Sequence, residues 1–267
     1  MGGLGTDTAW EPYCDDTHGT SVAGIIGAQH NNGGVAGIAP GIVHSLVRGF
    51  RRDYPCRGVT EGVQAATDLQ LADGLNWLWR YASSDVMTNS WGCGVYSQAI
   101  ADAIHNAVTL GRGGRGTPVI FSAGNTSRRE LGVIGGVCFP GTLDDVITVS
   151  AIDRFGALAD YSPQGKIDVV APSGHYTGAC VGEVVTTDRA STAGCNDGPG
   201  GDIQFTTTFS GTSAAAPQVA ATAALMLSRY PALTPTDVKN RIRNSAVNWG
   251  AAIDYGAGKL SAYNAIF

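Results

Sequence analysis

Short apolar runs alternate with stretches of helical periodicity along the chain, and this alternation limits the possible folds more than any other feature. Each run is short and almost continuously apolar, which is typical of a strand buried on both faces of a sheet. The runs lie at residues 42–47, 86–89, 118–122, 146–150 and 167–170. They predict strands of a parallel sheet, because such sheets are covered on both faces.

Helical signals occupy several gaps between these runs. Apolar residues recur at every fourth position over about 97–110, which predicts a helix there. A second helix is expected over 212–228, and a third begins at 234–237, where Thr, Pro and Asp are typical of a helix start. Strands joined by helices imply right-handed crossovers. The expected fold is therefore α/β and three-layered, with a mostly parallel central sheet and helices on both faces.

Length and charge set the domain count and exclude some partners. A chain of 267 residues fits one large domain. Its net charge of −5 gives no basic footprint for nucleic acid. The longest apolar stretch, 219–227, is about half as long as a bilayer crossing requires. We therefore expect a soluble domain that binds neither nucleic acid nor a membrane.

The cysteines indicate the compartment. No C-x-x-C pair occurs, so the spacing of a closed zinc site is missing. An even count allows up to three disulfides in an oxidising compartment, and scattered buried thiols are the alternative. The six are Cys14, Cys56, Cys93, Cys138, Cys180 and Cys195. No apolar run follows Met1, so the signal of a secreted protein would have to lie upstream.

The segment around Ser213 reads FSGTSAAAP over residues 209–217, which predicts an extended approach, a glycine turn and a helix start. A serine at a helix start is ordinarily a cap. Here small residues on both sides leave room for a substrate backbone, and the helix start directs free N–H groups toward an oxyanion formed beside the hydroxyl. Ser213 is therefore predicted to be a nucleophile.

A serine hydroxyl needs an adjacent base to act as a nucleophile, and five histidines are available. His18 opens a stretch of small residues, HGTSVAGIIGA, which can form a closely packed helix with the imidazole at its N-terminal end. His18 is the predicted general base. The other histidines lack such flanks and are expected to be solvent-exposed or structurally bonded. They are His30, His44, His105 and His175.

Residues 18–24 (HGTSVAG) and 211–217 (GTSAAAP) resemble the histidine and serine motifs of the subtilase family of serine proteases, in the family's order. NSWG at 89–92 is similar to the family's substrate-binding strand, and FSAGN at 121–125 is similar to its oxyanion strand. The resemblance covers about residues 15–267. It implies a subtilisin-like fold and hydrolysis of peptide bonds through an acyl-enzyme, with no cofactor required for the chemistry.

The resemblance also implies roles for residues near the nucleophile. Asn125 would donate its side-chain amide to the tetrahedral oxyanion, together with the backbone N–H of Ser213. Ser90, Trp91 and Gly92 would bind the substrate backbone as an added strand. Apart from the resemblance, an exposed loop asparagine and a strand end with an aromatic residue in the core are the ordinary interpretations.

Subtilases commonly bind calcium in the turn after the histidine helix, and residues 29–35 (QHNNGGV) occupy that place. Backbone carbonyls and the side-chain oxygens of Asn31 and Asn32 are suitable ligands for this cation. The turn holds no acid, however, and NNGG is also an ordinary turn sequence. A structural calcium site at Asn31 and Asn32 and a metal-free turn are thus both open.

Within the family, GRGGRG at 111–116 and SWG at 90–92 resemble the kexin-like branch, whose members cleave after paired basic residues. In that branch acids follow the Trp-Gly pair, whereas this chain has CGVY at 93–96. We therefore expect a chain that leans toward the kexin-like branch but does not require Arg or Lys before the scissile bond.

The family's triad acid is not visible at its usual place, about thirty residues before the histidine and at the end of a strand. The acids Asp7, Asp15 and Asp16 do not follow an apolar strand. Three explanations are open: the Asp-bearing strand lies upstream of this chain, a nearby acid substitutes, or the protein is inactive. The first is favoured, with 1–17 an irregular segment that follows the missing strand and 18–267 the peptidase domain.

Two rival functions come from other classes. An α/β-hydrolase esterase needs a Gly-x-Ser-x-Gly elbow, and Ala215 stands where the second glycine would be, which disfavours that class. A pseudoprotease would keep a peptide-binding cleft without turnover. The expected partners are peptide or protein substrates and a propeptide inhibitor such as subtilases usually carry. The expected form is a secreted monomer.

Overall fold

The computed structural model describes residues 17–30, 33–52, 63–177, 182–189, 195 and 203–267. Helices and strands alternate along most of this length. The helices are α1 His18–Gly27, α2 Asp68–Arg80, α3 Gln98–Gly114, α4 Thr212–Arg229, α5 Pro235–Ser245, α6 Ala252–Tyr255 and α7 Ala262–Ile266. The strands are β1 Phe50–Arg52, β2 Val63–Ala65, β3 Met87–Asn89, β4 Val119–Ser122, β5 Val146–Ile152, β6 Val169–Pro172, β7 Val184–Thr187 and β8 Phe205–Phe209.

A four-stranded parallel sheet in the order β3-β4-β5-β6 forms the centre of the described residues. All seven residues of β5 are buried, which explains why its sequence is an uninterrupted apolar run. The four predicted strands at 86–89, 118–122, 146–150 and 167–170 are confirmed. Two antiparallel pairs, β1 with β2 and β7 with β8, form separate two-stranded sheets.

The strand predicted at 42–47 is wrong, because these residues are not in a strand. Val43 is 92% exposed and Leu46 is 48% exposed. A β-strand requires a neighbour to pair its backbone, and within the described residues this segment pairs with none. Val47 instead lies beside α2, where a Cβ added to Gly74 would meet its side chain at 2.7 Å.

Each face of the sheet carries its own apolar cluster. Ile120 and Val149 belong to the cluster that α4 completes on one face. Val119 and Phe121 belong to the cluster formed with α2 and α3 on the other face, where Ile104 is fully buried. Successive residues of a strand point to opposite faces, so one strand supplies both clusters. The predicted α/β fold, with helices on both faces of a parallel sheet, is confirmed.

The helix boundaries follow local sequence signals. α5 starts where the sequence predicts, because Thr234 and Asp237 cap each other's backbone N–H groups in a capping box. α3 leaves helical geometry at Gly111, and Arg112 adopts a φ of 51°. From there the Arg112 guanidinium donates to the carbonyl of Leu233 at 2.8 Å. The GRGGRG segment therefore ties the end of α3 to the loop before α5.

Candidate active site

Ser213 lies at the start of α4, above the carboxyl ends of the parallel strands. Gly211, with a φ of 88°, turns the chain from β8 into this helix, a conformation that favours glycine. The Ser213 hydroxyl donates to the backbone carbonyl of Ser90 at 3.4 Å. In return the Ser90 hydroxyl donates to the carbonyl of Ser213 at 3.0 Å. The helix start is thus joined directly to the residue that follows β3.

Pro217 explains why the Ser213 carbonyl can accept this bond. A helical carbonyl normally accepts from the N–H four residues later, and proline has no N–H. Pro217 lies inside α4 at that distance from Ser213. The vacant carbonyl is then satisfied by the Ser90 hydroxyl. The proline of the GTSAAAP motif therefore has a local role: it leaves the carbonyl of the predicted nucleophile available to the segment predicted to bind substrate.

Asn125 follows β4 and is oriented by Thr212. The backbone N–H and the hydroxyl of Thr212 both lie 3.0 Å from Asn125 Oδ1. Because a backbone N–H can only donate, the atom facing it must be the amide oxygen, which fixes the orientation of the side chain. The Thr212 hydroxyl also accepts from the N–H of Gly124 at 3.2 Å. Asn125 therefore keeps its NH₂ group available to a new acceptor near Ser213.

Thr212 was not among the predicted site residues, although its position could have suggested a role. It is 1% exposed, whereas Asn125 is exposed. A hydroxyl residue directly before a nucleophile at a helix start can reach the loop that carries an oxyanion donor. Its use for orienting Asn125 depends on the arrival of β4 at this point, which the sequence does not display.

Gly211 is held from behind by Tyr161 and Ser173. Its N–H donates to the Tyr161 hydroxyl at 3.1 Å, and its carbonyl accepts from the Ser173 hydroxyl at 2.9 Å. The Tyr161 hydroxyl also lies 2.7 Å from the carbonyl of Gly174. Burial raises the pKa of Tyr161 to about 12, so this hydroxyl stays protonated at neutral pH. Both polar groups of the residue that turns the chain toward Ser213 are therefore paired.

His18 is the first residue of α1, and its ring is exposed to solvent on one side. The imidazole packs edge-on against Phe209, with 5.4 Å between ring centroids. Phe209 ends β8, immediately before the turn into α4. The structure thus places the predicted base beside the segment that carries the predicted nucleophile.

Threonines of β7 hold α1 in place. Thr186 donates its hydroxyl to the carbonyl of Ser21 at 2.7 Å, and Thr187 donates to that of Thr20 at 2.7 Å. The Ser21 hydroxyl donates in turn to the carbonyl of Thr187 at 3.1 Å. Gly24 is required by this approach, because a Cβ there would lie 2.2 Å from Thr187 Oγ1.

The segment predicted to bind substrate leaves the sheet at the end of β3. Trp91 turns its side chain inward, where Nε1 donates to Asn89 Oδ1 at 3.0 Å and the ring meets Phe121 at 5.0 Å. Its side chain therefore supports the strand end. A role for Ser90, Trp91 and Gly92 toward a peptide would then fall to their backbone groups.

Three of the four remaining histidines have hydrogen-bond or ionic partners, and His44 is exposed to solvent, as expected. His30 bonds to the carbonyl of Gly37 at 2.9 Å, and His105 to Asp145 at 3.1 Å. His175 lies 3.3 Å from Glu130 and from Asp153. Partial desolvation of its ring still lowers the pKa of His44 below the usual value.

The predicted calcium ligands Asn31 and Asn32 lie outside the described residues, as do the acids Asp7, Asp15 and Asp16. In the part of the chain that is described, no group of three or more His, Cys, Asp or Glu residues is arranged to hold a metal ion. No helix there is both long and apolar enough to span a bilayer.

Residues 5–260 match the profile of the subtilase family. The chain belongs to the subtilase family. Subtilases are serine endopeptidases whose chemistry requires no cofactor, and the match includes both of the motifs that carry His18 and Ser213.

Several subtilisins are similar to this subtilase in sequence. Subtilisin DY from Bacillus licheniformis is 30% identical over 246 residues, which is 91% of this chain and 75% of the relative. A thermostable alkaline protease from Halalkalibacterium halodurans is 29% identical and is matched over 98% of this chain and 61% of its own length. Subtilisin E from Bacillus subtilis is 27% identical, and this chain spans 56% of it.

Solved structures agree on the fold. A protease from Pseudoalteromonas arctica superposes with a TM-score of 0.68 at 28% identity, over 93% of this subtilase and 70% of that chain. Fervidolysin from Fervidobacterium pennivorans gives a TM-score of 0.72 over 94% of this subtilase and 36% of that chain. At 24% identity, fervidolysin supports the fold alone.

The expected lean toward the kexin-like branch is wrong, because the relatives are subtilisins. The GRGGRG segment that suggested that branch has a structural use at the end of α3, through Arg112. Two acids outside these motifs, Asp102 and Glu130, have hydrogen-bond partners of their own. Asp102 accepts from Gln98 at 2.7 Å, and Glu130 accepts from Tyr176.

Proposed function

We propose that this subtilase hydrolyses peptide bonds with Ser213 as nucleophile and His18 as general base. The Ser213 hydroxyl attacks the peptide carbonyl, and its proton passes to His18. The oxyanion receives hydrogen bonds from the Asn125 amide and the Ser213 backbone N–H. His18 then protonates the leaving amine, and water releases the acyl group from the serine.

The orientation of Asn125 is the observation that carries this proposal. With Oδ1 bonded twice by Thr212, the side chain can only offer donors to a further ligand. Donors fixed before the reaction stabilise a developing negative charge without rearranging during attack. An asparagine with a purely structural role would not need its NH₂ group presented beside a serine at a helix start. A peptide-binding protein without turnover gives no reason for this arrangement.

A small fluorophosphonate that carries no peptide side chain tests the nucleophile directly. We expect one covalent adduct per molecule, located on Ser213 by peptide mass spectrometry. Labelling should be absent in Ser213→Ala and strongly slowed in His18→Ala, because nucleophile and base act as a unit. In subtilisin, a member of this family, loss of either residue costs about 10⁶ in kcat.

Ser210→Ala is the matched control, since it removes a neighbouring serine hydroxyl from the same segment. It should label at close to the normal rate. Labelling of wild type at another serine would refute the assignment of Ser213. A wild-type protein that binds peptides but is neither labelled nor able to cleave them would favour the pseudoprotease instead.

Two further parts of the proposal concern residues outside the described ones. The acid that orients His18 is tested by Asp7→Asn, Asp15→Asn and Asp16→Asn, since loss of a triad acid costs about 10⁴ in kcat even with the geometry intact. If all three variants keep normal turnover, the acid lies on another segment. A calcium site at Asn31 and Asn32 predicts that a chelator lowers the unfolding temperature, and that Asn31→Ala abolishes the effect.

We also propose that the enzyme acts outside the cytoplasm on peptide or protein substrates. A disulfide joins Cys93 to Cys138, and Cys195 is disulfide-bonded as well. Such bonds form in oxidising compartments. One relative is named as a minor extracellular protease of Bacillus subtilis. Secretion of the full natural protein is measured by its distribution between cells and medium.

A further inference from the structure

The position of the residue before the scissile bond follows from the proposed acyl carbon. That carbon lies at the Ser213 hydroxyl and its oxygen at the Asn125 amide. The acyl carbon belongs to the residue before the scissile bond, and the α-carbon of that same residue is about 1.5 Å away. Its side chain must therefore enter the crevice between the segment after β3 and the segment after β4. The first segment contains Ser90 to Gly92, and the second contains Ala123 to Asn125.

A third segment fills the floor of this crevice. The N–H of Cys138 donates to the carbonyl of Ala123 at 2.9 Å, on one side. The carbonyl of Phe139 accepts from the N–H of Cys93 at 2.9 Å, on the other side. Residues 138–139 are therefore bonded to both segments that border the crevice. The side chains of residues 93 and 138 then determine how deep the crevice is.

Those residues place a disulfide there. A Cβ added to Gly124 would lie 2.5 Å from the sulfur of Cys138 and 3.0 Å from that of Cys93. Both sulfurs therefore lie directly against the backbone of the residue before Asn125. Even a methyl group does not fit between this backbone and the disulfide. Glycine is also favoured here by its φ of 97°.

The disulfide extends from the surface into the protein. Cys93 is exposed and Gly124 half-buried, whereas Cys138 is 8% exposed. Part of the bond thus borders the crevice that a substrate side chain enters, and part is fixed in the core. A covalent bond with its buried end anchored in this way cannot move aside to admit a larger side chain, as a flexible side chain could.

We propose that the Cys93–Cys138 disulfide is the floor of the specificity pocket and restricts the residue before the scissile bond to a small side chain, such as Gly, Ala or Ser. This inference rests on the proposed function, because it uses the positions assigned to the acyl carbon and the oxyanion. It names a substrate class for the same site. A bulky aromatic or long aliphatic side chain would meet the two sulfurs.

Matched peptide anilides test the preference in the wild-type protein. The substrates are succinyl-Ala-Ala-Pro-Ala and succinyl-Ala-Ala-Pro-Phe p-nitroanilide, which differ at the residue before the scissile bond alone. We expect kcat/KM to be at least about tenfold higher for the Ala substrate, within the range that a poor fit in an apolar pocket produces. An equal rate or a preference for Phe would overturn the proposal, and this test requires no variant to fold.

Removal of both sulfurs tests the cause. The double variant Cys93→Gly/Cys138→Ala empties the floor, and glycine suits the φ of 70° at position 93. We expect the Phe/Ala ratio of kcat/KM to rise about tenfold or more. Cys195→Ala is the matched control, since it also breaks a disulfide. That disulfide belongs to a different segment, because the backbone N–H of Cys195 donates to Asp188, which follows β7. It should leave the ratio unchanged. A ratio that shifts equally in both variants, or in neither, would refute the role of Cys93–Cys138.

Failure of the pocket and failure of the proposed function give different results. The small fluorophosphonate has no peptide side chain, so it labels Ser213 whatever the size of the pocket. If labelling and turnover are both absent, the proposed function fails. Binding of the peptide acids succinyl-Ala-Ala-Pro-Ala and succinyl-Ala-Ala-Pro-Phe, measured by calorimetry, then decides the pocket. Tighter binding of the Ala peptide supports it, and equal or tighter binding of the Phe peptide overturns it.

Discussion

The two halves of the candidate site are held by different kinds of interaction. Asn125 follows a strand of the central parallel sheet, and Ser213 begins α4, which packs on that sheet. The turn into α4 is fixed where the Thr212 N–H donates to Asn125 and the Gly211 N–H donates to the Tyr161 hydroxyl. His18 stands on α1, which packs on α4 and is tied to the β7–β8 pair by threonine hydroxyls. The serine half is thus positioned by the main sheet, and the histidine half by a helix that rests against a two-stranded pair.

This difference separates two requirements of catalysis. Groups that meet developing charge must be fixed before the reaction, which suits a dense network of buried bonds. A base must reach both the nucleophile and the leaving group, so its position depends on the placement of a whole helix. Perturbing the serine half should therefore change the rate more than the stability. Perturbing the histidine half should change both.

Among changes that leave the proposed nucleophile, base and acid in place, the largest effect is expected in the serine half, at Asn125. Asn125→Ala removes one oxyanion donor and should lower kcat by about 10²–10³ with little change in KM. Removal of the corresponding asparagine donor in subtilisin has an effect of this size. Thr212→Val keeps the amide but removes the hydroxyl that orients it, and should cost about tenfold. Steady-state kinetics on one peptide anilide compare the two. An unchanged kcat in Thr212→Val would contradict a role of the Thr212 hydroxyl in orienting Asn125.

The next largest effect is expected in the histidine half, at Gly24 in α1. In Gly24→Ala the new Cβ would lie 2.9 Å from the backbone nitrogen of Thr187 and closer still to its hydroxyl, so α1 must shift. We expect a loss of about 1–3 kcal/mol in the free energy of unfolding. Turnover should fall about tenfold or more, because small displacements of catalytic groups are costly. Unfolding is measured by denaturant titration in a Ser213→Ala background, which prevents self-digestion.

Gly19→Ala is the matched control on the same helix, because a Cβ at Gly19 meets nothing within 4 Å. Alanine is the better helix former, so stability should be equal or higher. If Gly24→Ala is as stable as Gly19→Ala, close approach of α1 to β7 does not hold the histidine half in place.

The same contrast shows what the sequence could predict. The runs at 146–150 and 42–47 are similarly apolar, yet the first lies between two neighbouring strands and the second is largely exposed. An apolar run reveals that a segment can be a strand, whereas the presence of a partner is a property of the fold. α5 was predicted from its own capping residues. α2 has the same signal in Thr67 and Gln70 but was not predicted.

The residues of the candidate site also fall into those that the sequence could identify and those that it could not. His18 and Ser213 could be selected because the residues around each are adjacent in sequence. Tyr161 could not, since fifty positions separate it from Gly211 and folding alone brings them together. The crevice is a similar case, because Cys93 and Cys138 are 45 residues apart and nothing in their spacing indicates that they meet beside Gly124.

A smaller effect is expected from the hydrogen bonds that hold Gly211, behind the proposed nucleophile. Tyr161→Phe removes one hydroxyl and leaves the N–H of Gly211 without this partner. We expect a loss of about 1 kcal/mol in the free energy of unfolding. We also expect a several-fold lower kcat at unchanged KM, because Gly211 sets the start of α4. Tyr263→Phe removes a hydroxyl from an exposed ring and should change neither quantity. A changed KM at unchanged kcat would contradict a positioning role for Tyr161.

The smallest effect concerns a charged cluster at the opposite end of β5 from Ser213. Lys166 Nζ lies 3.3 Å from the carbonyl of Val146 and 3.2 Å from the Thr148 hydroxyl. Burial lowers the pKa of Lys166 to about 8, and the nearby Asp168 opposes this shift. Asp168 is itself 1% exposed and also accepts from Arg243 at 2.7 Å.

The sign of the pH dependence follows from that lowered pKa. Above about pH 7 the folded state begins to release the Lys166 proton, whereas the unfolded state keeps it until near the ordinary value of 10.5. The unfolded state then binds more protons, so the free energy of unfolding rises with pH across this window. Between pH 7 and pH 8 the expected rise is about 0.3 kcal/mol.

In Lys166→Arg the charge is kept and cannot titrate, so this part of the slope should vanish. Denaturant titrations of Ser213→Ala with and without Lys166→Arg measure the difference, in which other titrating groups cancel. Equal slopes would show that Lys166 does not titrate in this range.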